Sequence, residues 1–301
     1  MRRLGEYIFR GRLQAIGITS LLTVCALIVP LMTYLFSGVV PALVTLRQGP
    51  IAGLQVIAGS LLLTFAVALL AGVNPSLMFM LALGIWLPTW FCAMVLRMTA
   101  DQGRMLLAAG LWGLVYIALS HILIDDVVQW WKSVLEVWVE QVMSPASAGK
   151  YAERLADMAP WMNAVINAGL IISLVTTVFC ARWWQGSMFQ PGGFRQEFQE
   201  LHLPKILTLA VVACVGLLVA GLAATGSAAL EILVLIVFLY VFQGVASVHR
   251  LVAEGRVTRP WLIAMYVLLA VLPQAVLFLA CMGMVNSWMY KTTTPRTHDK
   301  L

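Results

Sequence analysis

The chain has 301 residues, of which 61% are hydrophobic and 11% charged, and its mean hydropathy is +0.92. Soluble domains run at about 45–50% apolar and about 25% charged, so composition excludes a water-soluble globular protein: most of these side chains must face lipid or one another. The net charge of +6 is read as basic loops beside anionic lipid rather than as a nucleic-acid footprint.

Arg2, Arg3, Arg10 and Arg12 precede an apolar run and imitate a secretory signal. No convincing small-x-small cleavage site lies before Pro30, so this is read as an uncleaved first span. The stretch Leu13–Leu46 is long for one span and short for two, with Pro30 near its middle. Further apolar runs of spanning length, about 20 residues, follow at Ile51–Val73, Leu77–Met98, Met105–Ile124, Ala164–Ala181, Ile206–Ala224, Leu230–Val252 and Trp261–Met284.

Charge arbitrates the first stretch. If it forms a hairpin, Arg2, Arg3, Arg10, Arg12, Arg47, Arg97, Arg104, Arg182, Arg195, Lys205, Arg250, Arg256 and Arg259 fall on one side. Lys132, Lys150, Arg154, Lys291, Arg296 and Lys300 fall on the other. A single span makes the split nearly even. The positive-inside rule therefore favours the hairpin, although a re-entrant segment satisfies the same charges. The expected fold is a single all-α, polytopic transmembrane bundle over residues 1–301, with about eight to nine spans. It sits in the bacterial inner membrane with its N-terminus cytoplasmic and its C-terminus periplasmic.

Two connectors carry structure of their own. In the external loop 125–160, Val127, Val128, Trp131, Val134, Leu135, Trp138 and Val142 recur at helical spacing opposite Gln129, Lys132, Glu136 and Glu140. This helix lies in the interface plane or packs on the bundle's outer face, and both readings stand. In the cytoplasmic loop 182–205, Pro191-Gly192-Gly193 forms a turn, and Phe194, Phe198 and Leu201 then share a helical face beside Arg195. These four residues are candidate partner-binding positions, on a coupling helix for a soluble partner or on a surface anchor.

The segment Ala181-Arg182-Trp183-Trp184-Gln185, followed by Gln190-Pro191-Gly192-Gly193-Phe194-Arg195-Gln196-Glu197-Phe198, resembles a characteristic stretch of the YybS-like predicted membrane proteins (domain of unknown function 2232). Two further blocks agree: Val44-Thr45-Leu46-Arg47-Gln48-Gly49-Pro50, and Tyr240-Val241-Phe242-Gln243-Gly244-Val245-Ala246-Ser247-Val248-His249 continuing to Gly283-Met284-Val285-Asn286-Ser287-Trp288. The usual acidic residue before the last tryptophan is replaced here by Asn286-Ser287. The resemblance implies a bacterial inner-membrane protein of unestablished function. Its hydropathy is distantly similar to that of the substrate-capturing subunits of energy-coupling-factor vitamin transporters.

Polar residues inside apolar runs are few: Gln55, Asn163, Asn167, Glu231, Gln243, His249 and Gln274. Such groups face a cavity or a partner. Tyr240, Gln243 and His249 on one span, with Gln274 on the next, are the candidate solute-binding residues, set against the plainer reading that these amides bond neighbouring helices. Small residues at Gly11, Ala15 and Thr19, and at Gly216, Ala220 and Ala224, fit close helix packing.

Catalytic signatures are poor. His121 and Asp126 have acyltransferase-like spacing but sit at the outer end of a span, and no P-loop, HExxH or nucleophile elbow occurs. The five cysteines lie in apolar runs without a CxxC pair. No enzyme activity, catalytic residue, metal or cofactor is expected. Two functions stand: a transport-type subunit that binds a small solute within the bundle, or a scaffold that docks partner proteins.

Overall fold

The computed structural model describes residues 2–25, 30–72, 75–142 and 154–289. Every regular element among them is helical. In chain order these are α1 (Arg2–Phe9), α2 (Arg12–Cys25), α3 (Pro30–Gln48), α4 (Pro50–Leu70), α5 (Pro75–Thr99), α6 (Gln102–Leu123), α7 (Val127–Val142), α8 (Ala159–Phe189), α9 (Gly193–Gln199), α10 (Ile206–Val219), α11 (Ala228–Ala253), α12 (Pro260–Val271) and α13 (Gln274–Met289). Among the described residues, α4, α6, α8 and α11 are long and apolar enough to cross a membrane, and α2, α10, α12 and α13 are shorter apolar helices.

Local chemistry sets the boundaries. Proline opens α4, α8 and α12 within their first two residues, where its missing N–H costs nothing. Asp101 caps α6, its Oδ1 accepting from the amides of Gly103 at 2.7 Å and Arg104 at 3.1 Å. The single residue between α3 and α4 is Gly49 at φ 105°, a conformation that a side chain would strain.

The apolar run Trp261–Met284 is not one helix. Leu272 is extended, with φ −116° and ψ 105°, as the residue before a proline prefers. Pro273 has no amide to continue the ladder. The result is a 12-residue α12 and a 16-residue α13, each shorter than a hydrocarbon core demands. The run Ile206–Ala224 also stops early, at Val219, before a turn with Gly221 at φ 69°. Conversely, α8 exceeds its expected range at both ends, reaching 31 residues.

Contacts divide the bundle into two ends. At one, the Leu46 carbonyl accepts from Arg97 and from Gln185 Nε2, Arg182 pairs with Glu197, and Arg250 Nη1 bonds the Gln199 carbonyl at 3.3 Å. Gly5 lies against Trp184 and Met188, and Phe9 stacks edge-on to Phe189. Both flanks of the stretch 13–46 therefore sit at this basic end, which a single span cannot achieve; a hairpin or a re-entrant segment can. At the opposite end, Gly226 meets Val128 and Pro160. There α7 packs on α8, with Val127 and Val139 buried and Trp131 Nε1 donating to Asn163 Oδ1 at 3.4 Å. Of the two readings of this helix, packing on the bundle accounts for its inner face, while Trp130, Val137 and Trp138 stay exposed.

The tightest crossing is between α11 and α13. A Cβ on Gly244 would lie 2.0 Å from the Leu279 carbonyl oxygen, and one on Gly283 would lie 2.3 Å from that of Tyr240. By contrast, Gly216 has nothing within 4 Å of such a Cβ. The small residues Gly216, Ala220 and Ala224 therefore mark no close packing here, whereas Ala15 and Thr19 are buried on α2.

Candidate functional site

The four residues expected to hold a solute are not brought together. Tyr240 and Gln243 are fully buried and serve packing. The Tyr240 hydroxyl meets Thr208 Oγ1 at 2.7 Å. Gln243 Oε1 accepts from the Leu203 amide at 2.9 Å, and its Nε2 donates to Asn286 Oδ1 at 3.4 Å. These bonds clamp the segment before α10, and α13, onto α11, which is the plainer role that amides play between helices. Gln274 is exposed at the first position of α13. It lies twelve residues from Asn286, about 18 Å along the axis.

His249 belongs elsewhere. Its Nε2 contacts the Tyr266 hydroxyl at 2.9 Å, and its ring meets Phe198 edge-on at 5.5 Å. Phe194 and Phe198 in turn pack on Phe179 of α8 at 5.7 and 5.5 Å. The apolar face of α9 is thus turned onto its own bundle rather than outward. Leu201 is 2% exposed: α9 ends at Gln199, so Leu201 leaves the helical face and tucks beneath. Arg195 is exposed. Together, α8, α9, α11 and α12 enclose a groove of about 780 Å³ lined by Phe194, Arg195, Phe198 and His249 among mostly apolar side chains.

A second constellation forms towards the opposite end. The Glu231 side chain is wholly buried, with Oε1 3.0 Å from His121 Nε2 and Oε2 accepting from Asn163 Nδ2 at 2.6 Å. Asn163 Nδ2 also donates to Ser120 Oγ at 2.9 Å, and its Oδ1 accepts from the Tyr116 hydroxyl at 3.2 Å and from Trp131. The indole N–H can only donate, which orients the amide. One asparagine therefore ties α6, α7 and α11 to α8. His121 is 32% exposed and links the buried carboxylate to the medium. The His121–Asp126 spacing has no common site behind it, because Asp126 Oδ1 instead accepts from the Gln129 amide in the first turn of α7.

Tyr116 is also a wall of a cavity of about 340 Å³ between α5, α6 and α8, with Thr89, Trp112 and Asn167. Thr89 Oγ1, Trp112 Nε1 and Asn167 Oδ1 have no hydrogen-bond partner among the described residues. Buried polar atoms without partners are rare and costly. Gly84 and Pro88 complete this wall. Proline supplies no amide to the carbonyl four residues earlier in the helix. The cavity sits midway along all three helices, flanked by both bond donors and acceptors. Asn163, Asn167 and Glu231 stand out in the sequence as polar residues in apolar runs; Thr89, Trp112 and Tyr116 carry no such signal.

No curated protein and no solved structure matches the chain. A family model described as a predicted membrane protein (DUF2232) matches residues 17–287. With an all-helical apolar bundle and most of its length matched, the chain belongs to this family of membrane proteins, DUF2232.

Proposed function

We propose that this protein is a transport-type subunit of the bacterial inner membrane that binds a small solute in the cavity between α5, α6 and α8. The observation that carries the reading is the coincidence of that cavity with three polar side-chain atoms that have no partner among the described residues. Polar side chains at mid-membrane depth face a pathway or a ligand. The indole donor, the amide acceptor and the hydroxyl suit an uncharged solute with both a hydrogen-bond acceptor and a donor. The cavity lies at the small end of ligand sites, about 300–1,000 Å³. The basic end faces the cytoplasm under the positive-inside rule.

The competing reading is a scaffold docking partners through α9. The engagement of Phe194, Phe198 and Leu201 within the bundle favours the solute reading over docking through that helix. A thermal-stabilisation screen of the purified protein against polar metabolites tests the proposal. A stabilising solute whose effect is lost in Asn167→Leu and Thr89→Val supports it; a screen without a hit, or one whose hits survive both substitutions, contradicts it.

A further inference from the structure

The groove at the basic end has a different shape and chemistry from the central cavity. Its wall on α11 runs from Phe238 to Val252, fourteen residues or about 21 Å along the axis. Its charged and ring-polar groups gather at one extreme, and Thr176 is the polar lining side chain farther along. Arg195, His249 and Tyr266 stand together near the basic end, while Phe238 and Ile172 line the deep extreme. Arg195 is exposed and makes no hydrogen bond or ion pair among the described residues. We infer that this groove is a binding site for an anionic phospholipid, with the headgroup phosphate at Arg195 and His249 and one acyl chain laid along α11.

Three observations select that occupant. The length of the groove covers well over half of a hydrocarbon core about 30 Å thick, which suits a chain rather than a compact metabolite. Its walls are almost wholly apolar, with Phe179, Phe198 and Phe242 forming a continuous aromatic side. A free anion would engage only the mouth and leave that surface unfilled. Finally, the charge at the mouth is complementary: a guanidinium fork matches phosphate geometry, at the end of the bundle where Arg182 and Arg250 also lie. The inference is independent of the solute reading, because no residue is shared between the two cavities.

The test uses the full chain in nanodiscs of equal phosphatidylglycerol and phosphatidylcholine, followed by release into the gas phase and counting of retained lipids by native mass spectrometry. Wild type should retain phosphatidylglycerol in several-fold excess. Arg195→Gln should bring the ratio close to one. Thr176→Trp, at an exposed position partway along the groove, should lower retention of both lipids while leaving the melting temperature near wild type. Equal retention of the two lipids by wild type, an unchanged preference in Arg195→Gln, or undiminished retention in Thr176→Trp would each overturn the assignment.

Discussion

Asn163 Nδ2 donates to Glu231 Oε2 at 2.6 Å, joining the N-terminal parts of α8 and α11 inside an apolar bundle. The carboxylate has two partners and no solvent, since His121 covers its other oxygen. A buried polar network of this kind is held only while every partner stays in place, because removing one leaves the rest desolvated and unpaired.

Glu231→Ala should therefore destabilise the protein, by about 1–3 kcal/mol, because the Asn163 amide loses its buried acceptor. His121→Ala should cost less, because that side chain keeps 32% of its surface. Melting curves in one detergent order the variants. Equal small effects for both would mean that the network is not a structural tie.

At the α11–α13 crossing, Gly244→Ala drives a methyl into the Leu279 carbonyl, backbone that cannot swing aside. The expected cost is about 1–3 kcal/mol, as for overpacking. Gly216→Ala serves as the control, with open space around its Cβ and an expected change within about 1 kcal/mol in the stabilising direction. Thermal denaturation of the pair in parallel settles the contrast.

Arg182 is 9% exposed at its side chain and grips α9 through Glu197, with Gln190 Oε1 at 3.2 Å as a further acceptor. Lysine lacks the planar fork that makes such multiple contacts. Arg182→Lys should loosen the segment 190–200, so that trypsin cleaves after Arg195 several-fold faster than in wild type. An unchanged cleavage rate would show that α9 is held by its phenylalanines alone.

Much of this arrangement is legible in the sequence, and the exceptions have physical causes. Apolar runs mark α4, α6 and α11 within a few residues, because their length and composition are set by the solvent they face. Hydropathy averages over Pro273, so the break between α12 and α13 escapes it. Leu201 continues the three-and-four spacing of Phe194 and Phe198 on paper, but α9 ends at Gln199 and the spacing loses its meaning there. Partnerships are harder still. Glu231 meets His121 across 110 positions, and Trp112 and Thr89 have compositions ordinary for a membrane helix until the fold leaves their polar atoms without partners.

The two ends of the bundle give a topological prediction. In a background without native cysteines, Gln129→Cys on α7 and Gln196→Cys on α9, both at exposed positions, should react with an impermeant maleimide from opposite faces. The proposed orientation, with the basic end inside, expects Gln196 to be labelled from the cytoplasmic side. Labelling of both from one side would contradict the assignment.

The most direct test of solute binding is a cryo-electron microscopy map of protein purified natively, without added ligand, in lipid nanodiscs. A compact non-protein density bounded by Trp112, Tyr116 and Asn167 is expected, within bonding distance of the indole and amide. A cavity holding only water-sized features, or one closed by repacked side chains, would contradict it.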